Sequence, residues 1–481
     1  MNFKKNLKSI LVLGVIIKIL GLLYRIVTTR VLGLEGMRLV SLITPSISLC
    51  LCLSSFSIQP VCNQNIASNI KDGKVKVSVI LVSCLKITLT TSSIVAIIMM
   101  LSFPIYKYIF QNSFIYYPLL ASIPLIYISN FSGIIKGYLE ANNIFKTTYL
   151  ANVFESLAKI IFSIILLIIF RNYSINIQVL TVFISLSLSE IVSSIILTNK
   201  IKKHVNRPVF KVDTQGYEYQ IFKEALPLTL EGLVSTIASY IMPFVFYFAA
   251  LKVGVDFHTS TTYYALVTSY SIPLLISGQF AILTVAKLIF PSVSKNIGNQ
   301  NNINNLINRT LIISLFLSIV CFNFCYFYAD IGLNILFGND TGKDIVIFMA
   351  PLFFFIYFDP IFVVILQAYK KGKILFFVTL LSQIISILLI YFLTINPTIN
   401  LMGYTYALTI GLLIKFILLF ISSLIVSRYK PKIYDFISYI LLSIIYLLLN
   451  SLFTHYLNLI ISTIAFSLLY LLLLKTSHNK K

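Results

Sequence analysis

With 481 residues, of which 58% are hydrophobic and 11% charged, the chain cannot supply the roughly one-quarter charged content typical of a soluble domain. Its 37 Lys and Arg against 15 Asp and Glu give a formal charge of +22. In a soluble protein that excess would point to nucleic acid, but here the cations fill short connections between apolar stretches. Membrane topology and anionic lipid headgroups account for them, and nucleic acid is excluded as a partner.

Fourteen apolar stretches are long enough to cross a hydrocarbon core, each crossing needing roughly 20 residues. In chain order they fall at 9–31, 39–62, 79–102, 115–138, 149–170, 177–198 and 225–250. The second set lies at 261–288, 310–329, 344–368, 374–394, 400–426, 433–452 and 457–475. The first stretch follows a basic start (MNFKKNLKSI) as a signal peptide would, but Arg25 and Arg30 stand where a small-residue cleavage site would be, so it reads as a retained helix. When the connections are numbered in turn, the two ends and the even connections hold 25 basic residues, among them Lys71, Lys74, Lys76, Lys200, Lys202, Lys203 and Arg207. The odd connections hold six: Arg30, Arg38, Lys107, Arg171, Lys252 and Lys343. By the positive-inside rule both termini are cytoplasmic and the span count is even. The expectation is an all-α polytopic membrane protein of about 14 transmembrane helices.

The longest connection, 199–224, is basic and polar and lies near the middle. It divides a first lobe (1–200, helices 1–6) and a linker (201–224) from a second lobe (225–428, helices 7–12), followed by helices 13 and 14 with a basic tail (429–481). Pro45 and Pro273, in spans 2 and 8, stand 228 residues apart, as do Glu155 and Gln383 in spans 5 and 11. That register suggests a duplicated six-helix unit. An even number of spans per unit makes the repeat parallel, as in two-lobed secondary transporters. Cys50, Cys52, Cys62, Cys84, Cys321 and Cys325 lie in or at the ends of spans whose middles lack His, so they read as small apolar residues rather than metal ligands. Trp is absent, and 29 Tyr take over the interfacial aromatic role.

A charge near the bilayer centre costs at least about 2.5 kcal/mol, so each one needs a reason. Lys86 and Lys287 lie close enough to the cytoplasmic face to snorkel. Glu155 and Lys159 are spaced i,i+4 and are expected to pair. Glu231 sits one turn into span 7, where a helix N-terminus favours an anion. Glu190, Asp359 and Lys415 read as deep and isolated, each a coupling-ion site, a proton site or an interlobe contact. Lys18 and Arg25 are seven residues apart on one face of span 1, with Gly21 between them and no acid nearby on that helix. They are expected to line a watery cavity or meet an anion, and the planar donor fork of Arg suits phosphate. Pairing with an acid on another helix, such as Glu155 or Glu231, is the structural alternative.

The segment GLLYRIVTTRVLGLEGMRLVSLITPSISLCLCLSSFSIQP resembles the first two helices of the stage V sporulation protein B group, in the polysaccharide-transporter branch of the multidrug/oligosaccharidyl-lipid/polysaccharide exporter superfamily. FSGIIKGYLEANN, ALPLTLEGLVST, YSIPLLISGQFAILTVAKLIFPSVSK and ILQAYKKGKILFFVTLLSQIISILLIYFLT extend the resemblance over most of residues 5–430. It implies two six-helix lobes around a cavity of alternating access and transport of lipid-linked glycan precursors. Related lipid II flippases carry a basic cavity cluster, a role that would fall here to Arg25, Arg30 and Arg38, with Lys18 and Lys159. The sequence departs from the family at Leu39-Val40, at Ser57 to Gln64 and at Ser132, where the family usually carries Tyr-Gln, a Gly-Ile-Pro motif followed by Ala-Ile-Ser-Lys, and Arg.

The leading expectation is therefore a flippase for a lipid-linked oligosaccharide or peptidoglycan precursor in the bacterial cytoplasmic membrane. Its partners would be that lipid-linked glycan, a bilayer with anionic headgroups and cell-wall synthesis enzymes. Export of small cations is the alternative, with Glu155, Glu231 or Asp359 as the acid. A membrane glycan polymerase or ligase is disfavoured: the outside loops offer only scattered acids and His, and no phosphate-binding Gly-rich loop is present. No catalytic residues, metal or cofactor are expected, and energy must come from a gradient, the membrane potential or substrate flux.

Overall fold

A single glycine sets the geometry of the first two spans. In the computed structural model, which describes residues 3–72, 77–104, 107, 113–201, 214, 216–429, 434–452 and 456–479, helix α1 (Phe3–Ser55) leaves helical geometry only at Gly33, with φ 63° and ψ −168°. That region of backbone space is open essentially to glycine alone. One residue therefore kinks the run into 3–32 and 34–55. Glu35 and Arg38, expected in a loop, ride instead on the helix that follows. A second break falls at Phe56 and Ser57, both at positive φ, before α2 (Ile58–Asp72) resumes.

The first unit continues with α3 (Val77–Leu101), α4 (Tyr116–Ala121), α5 (Ile123–Ala141), α6 (Phe145–Ile169), α7 (Ile175–Ile201) and α8 (Tyr217–Lys252). Within its apolar packing, hydroxyl and amide groups bond across helices. Asn130 Nδ2 donates to Ser92 Oγ at 2.8 Å, Ser163 and Ser185 hydroxyls meet at 2.7 Å, and Thr91 Oγ1 donates to the Ser54 carbonyl at 2.7 Å. Such bonds contribute about 0.6–2 kcal/mol each where lipid offers no alternative partner.

Most of the basic linker, 202–213 and 215, lies outside the described residues. Its end is anchored to the first unit. Lys86 Nζ donates to Thr214 Oγ1 and to Glu218 Oε1, each at 2.8 Å. Tyr217 Oη donates to Asn65 Oδ1 at 2.7 Å, and Asn65 Nδ2 reaches Glu224 Oε2 at 2.6 Å. Phe56 stacks on Phe222 with ring centroids 4.8 Å apart, and Ile221 and Ala225 are fully buried. These contacts explain why α8 starts eight residues before the expected span 7. They also give Lys86 an acid partner in place of open water.

The hydrogen bond from Lys86, and then that from Thr214, hold the Glu218 carboxyl down at about 2. A carboxyl depressed on folding contributes stability above its unfolded value of about 4.3, and loses it as pH falls through the folded value. The gap in Tm between wild type and Glu218→Gln is thus expected to be largest at neutral pH and to close between about pH 4 and pH 2. The pair is partly exposed, so the gap corresponds to at most about 1 kcal/mol. A gap that stays constant across that window would refute the assignment.

The two compact units are Met1–Phe244 with Phe257–Thr262, and Val245–Asp256 with Tyr263–Lys481. Helix α9 (Phe257–Ala265) begins in the first unit, and the chain then continues in the second through a π turn at Leu266–Ser271 and the short α10 (Ile272–Leu275) before bending by 58° into α11 (Gln279–Lys295). Next come α12 (Gln300–Phe327), α13 (Ala329–Phe337) and α14 (Lys343–Phe353), then a 3-10 turn at Phe354–Tyr357 leading into α15 (Asp359–Ala368). The last elements are α16 (Gly372–Ile395), α17 (Met402–Ser427), α18 (Tyr434–Leu452) and α19 (Tyr456–Asn479). Helices α18 and α19 are fastened to α12 and the residue that follows it. Asn323 Nδ2 donates to Tyr446 Oη at 2.9 Å, Tyr328 Oη to Asn450 Oδ1 at 3.1 Å, and Tyr470 Oη to the Ile312 carbonyl at 2.6 Å.

Among the described residues ten helical runs are long and apolar enough to cross a membrane, or eleven with the bent pair counted as one span. The first run covers the expected spans 1 and 2, and the shorter apolar helices Phe436–Leu452 and Asn458–Leu473 correspond to spans 13 and 14. Each of the fourteen stretches thus falls on helix over most of its described residues, several of them broken.

Candidate functional site

In the first unit, α5, α6 and α7 each bring one charged side chain to a common point. Lys136 Nζ stands 3.6 Å from Glu155 Oε2 and 3.8 Å from Glu190 Oε1. Ser132 Oγ also donates to Glu190 Oε1 in a short hydrogen bond. Side-chain exposure is 14% for Lys136 and 8% for Glu190, so an ammonium and a carboxylate are held almost fully away from solvent. Ser132 and Lys136 lie one turn apart on α5 and so face α7 together. The other edge of α5 is glycine: a Cβ at Gly137 would sit 2.7 Å from the Gln59 carbonyl oxygen, so α2 can close against that edge only because it is bare. One turn on, Glu140 accepts from Gln59 Nε2 at 3.4 Å.

Two expectations are corrected here. Glu155 pairs with Lys136 rather than with its own-helix neighbour Lys159. Lys159 Nζ instead lies over the Tyr24 ring, 4.0 Å from the centroid, because α6 packs along the first half of α1. A cation over an aromatic face gains roughly 0.5–2 kcal/mol, the higher end when desolvated. Lys136 is one of the 25 basic residues counted in the even connections and is not singled out by the sequence as a site residue. The available signal was the i,i+4 series Ser132, Lys136, Glu140, which puts three polar groups on consecutive turns of one helix.

Span 1 is helical without interruption from 3 to 32. Lys18 and Arg25 therefore share one stripe, about 10 Å apart along the axis; Lys18 is exposed and Arg25 half-buried. Arg30 is exposed near the end of the same helix. Arg38 lies beyond the Gly33 kink and is committed elsewhere: its Nε contacts Glu35 Oε2 at 3.0 Å and its Nη1 reaches Thr261 Oγ1 at 3.3 Å. Glu35 Oε1 also meets His258 Nε2 at 3.1 Å. Glu231 is carried by α8, but its side chain lies outside the described residues.

In the second unit Asp359 and Lys415 were read as isolated. They form a pair at 3.2 Å, with Asp359 buried and its Oδ1 without a hydrogen-bond partner among the described residues. Asp359 reaches this position because the span breaks at the 3-10 turn and Pro360 restarts it. The break is tied to the bend between α10 and α11: Tyr357 Oη donates to the Leu275 carbonyl at 2.8 Å and Gln279 Nε2 to the Ile356 carbonyl at 3.2 Å. No grouping of three or more His, Cys, Asp or Glu suited to a metal occurs among the described residues.

Comparison with known proteins places these features in context. A family described as polysaccharide biosynthesis protein matches residues 3–295. Stage V sporulation protein B of Bacillus subtilis (strain 168) is 22% identical over 425 residues, covering 86% of this chain and 82% of that protein. The lipid II flippase MurJ in an inward closed conformation superimposes with a TM-score of 0.69 at 17% identity, covering 98% of each chain. The inward-facing structure of a multidrug resistance MATE family transporter of the MOP superfamily also gives 0.69, at 16% identity over 88% of this chain and 98% of the other. At these identities the two structures establish a shared fold.

Proposed function

The chain belongs to the polysaccharide biosynthesis protein family, and on that premise we propose that it carries a lipid-linked oligosaccharide or peptidoglycan precursor across the bacterial cytoplasmic membrane, without acting on it as an enzyme. The observation that supports this most directly is the stripe on span 1. Lys18 and Arg25 lie on one face of an apolar helix that holds no acid from residue 3 to residue 32. A stripe of two cations at this spacing suits a phosphate-bearing headgroup, whose oxygens can meet both while the lipid tail stays in the bilayer. Arg25 is assigned as the main phosphate contact, Lys18 and Arg30 as flanking cations, and Lys159 as a further cation held behind Tyr24. Arg38, with Glu35, His258 and Thr261 around it, steadies the start of the second span.

The two lobes, 1–200 and 225–428, would alternate access, with both termini in the cytoplasm and cell-wall synthesis enzymes supplying and consuming the substrate. Lys136 between Glu155 and Glu190 is the proposed coupling centre: a proton taken up by either carboxylate releases half of the hold on the ammonium. The alternative of cation export needs an acid available to substrate, whereas Glu155 and Asp359 are each already paired with a lysine.

Flipping of labelled lipid II in proteoliposomes under an imposed membrane potential tests this. Wild type is expected to flip the lipid, and Arg25→Ala to lose at least about tenfold in rate, as for a lost charge-assisted contact of about 1.5–3 kcal/mol. Failure of the wild type would withdraw the glycan reading and turn attention to cation export. Undiminished flipping by Arg25→Ala would keep the function and remove that residue from it.

A further inference from the structure

The exposed side chains of the second span are of the wrong kind for lipid. Helix α6 exposes Phe154, Leu157, Ile161 and Ile165, as a lipid-facing helix should. The run 34–55 exposes only Glu35, Thr44, Ser48 and Leu53, so the middle of the span turns two hydroxyls outward. Polar groups at that depth belong against water or ligand rather than lipid. Helix α8 carries a matching face within the same unit, which runs to Phe244. It approaches the second span at Gly232, where a Cβ would stand 3.7 Å from Cys52 Sγ. Beyond that point lie Ser235, Thr236 and the exposed Ser239, while the exposed Ile237 and Ile241 follow two residues later, on the opposite side of the helix. Spans 2 and 7 cross in opposite senses. Equal rises from Cys52 and Gly232 therefore put Ser48 level with Thr236, and Thr44 within about one residue of Ser239. All five hydroxyl protons are already committed. Thr44 Oγ1 donates to the Val40 carbonyl at 2.7 Å and Ser48 Oγ to the Thr44 carbonyl at 2.9 Å. Ser235 Oγ and Thr236 Oγ1 each donate to the Gly232 carbonyl at 3.1 Å, and Ser239 Oγ to the Ser235 carbonyl at 2.8 Å. Each oxygen keeps free lone pairs, so this face accepts hydrogen bonds at no loss and donates one only by giving up a bond within its own helix.

We propose that these hydroxyls receive the sugar of the substrate, accepting from the hydroxyl and amide N–H groups of the residue next to the phosphate. Given a lipid-linked glycan as substrate, on which this assignment depends, chemistry divides the headgroup between the helices. Phosphate offers only acceptors and calls for the donors of span 1, Lys18 and Arg25. A neutral sugar carries donors and calls for acceptors. The depths agree. Measured along the helices from Gly33, where the first two spans join, Lys18 and Ser48 each lie about 22 Å in, and Arg25 and Thr44 about 12 and 16 Å in. Phosphate and adjoining sugar can therefore be met at one level. A sugar with its hydroxyls capped brings no donor to these oxygens and loses their contribution. Thr44, Ser48 and Ser239 are thus specificity residues for the sugar, separate from the cations that hold its phosphate.

The test is native mass spectrometry of the full-length protein titrated with three lipids: a polyprenyl diphosphate without sugar, the same carrier bearing N-acetylglucosamine, and that glycolipid with its hydroxyls O-methylated. Wild type is expected to hold the N-acetylglucosamine lipid at least about tenfold more tightly than the other two, as for two or more neutral hydrogen bonds. Thr44→Val combined with Ser48→Ala, which nearly keeps the shape, should remove most of that preference and leave affinity for the bare diphosphate within about twofold. Ser239→Ala should lower the preference about two- to tenfold, the range for one hydrogen bond. Arg25→Ala should weaken all three lipids alike. Thr90→Val is the control that changes nothing: its hydroxyl is likewise exposed and donates to the Ile87 carbonyl, but on α3 beside the exposed Leu89 and Ile94. Wild type without a preference, or hydroxyl variants that weaken all three lipids equally, overturns the sugar assignment and leaves the transport of a lipid-linked glycan standing. Binding of none of the three overturns both.

Discussion

Replacing Lys136 with methionine is expected to destabilise the protein by about 3–5 kcal/mol, the cost of leaving buried charge without its partner. The residue stands between two carboxylates, at 3.6 and 3.8 Å, with little water to take its place. Methionine keeps the volume and most of the length of lysine, so packing changes little and the effect isolates the charge. With the ammonium gone, Glu155 and Glu190 lose the cation that stands between them. The triple variant Lys136→Met, Glu155→Gln, Glu190→Gln removes all three charges together and is expected to recover most of the lost stability, because neutral groups of the same shape can replace a buried ion network at little cost. Thermal unfolding in detergent, with the monodisperse fraction by size exclusion, reads both effects. A single variant within about 1 kcal/mol of wild type, or a triple variant no better than the single, would show that these charges are not coupled.

Gly403→Ala is the second large effect, expected at about 3 kcal/mol and felt in the second unit. A Cβ at this position would lie 2.5 Å from the Thr394 amide nitrogen and 2.6 Å from the Leu393 carbonyl carbon. Those are backbone atoms near the end of α16 and cannot rotate out of the way, so α16 and α17 must part along a contact that small residues permit. Overpacking of this kind typically costs 1–3 kcal/mol, and more where backbone is displaced. Gly411, two turns along α17, is an internal control: the obstacle there is the Ser386 hydroxyl, which already donates to the Ser382 carbonyl and can adopt another rotamer. Gly411→Ala is expected to cost under about 1.5 kcal/mol. Equal losses at the two positions would show that side-chain crowding, not backbone approach, sets the spacing of this hairpin.

The spans were readable from the sequence because hydropathy and length are local properties, and each of the fourteen stretches falls on one helix or on a broken run of helices. Their interruptions were not. The break at Phe56 and Ser57 carries no glycine or proline at the break itself, and the Gly33 kink looks in sequence like one glycine among several. Partners were the least legible. The choice of Lys136 over Lys159 by Glu155 depends on how α5 and α6 are rotated and how deep each sits, and neither follows from spacing along one chain segment. The same holds for Asp359 and Lys415, which read as strays because 56 positions separate them. The stripe of Lys18 and Arg25 was legible because it needs only the period of one unbroken helix.

The two units use the same numbered helices for their buried ion pairs but with the signs exchanged. Counting spans within each six-span half, the fourth carries Lys136 and the sixth Glu190 in the first half, while the fourth carries Asp359 and the sixth Lys415 in the second. Attraction is indifferent to which partner is positive, so such an exchange preserves the bond while reversing its dipole. A comparison of the halves residue by residue would score both positions as mismatches, although in each half a pair of opposite charge joins the fourth span to the sixth.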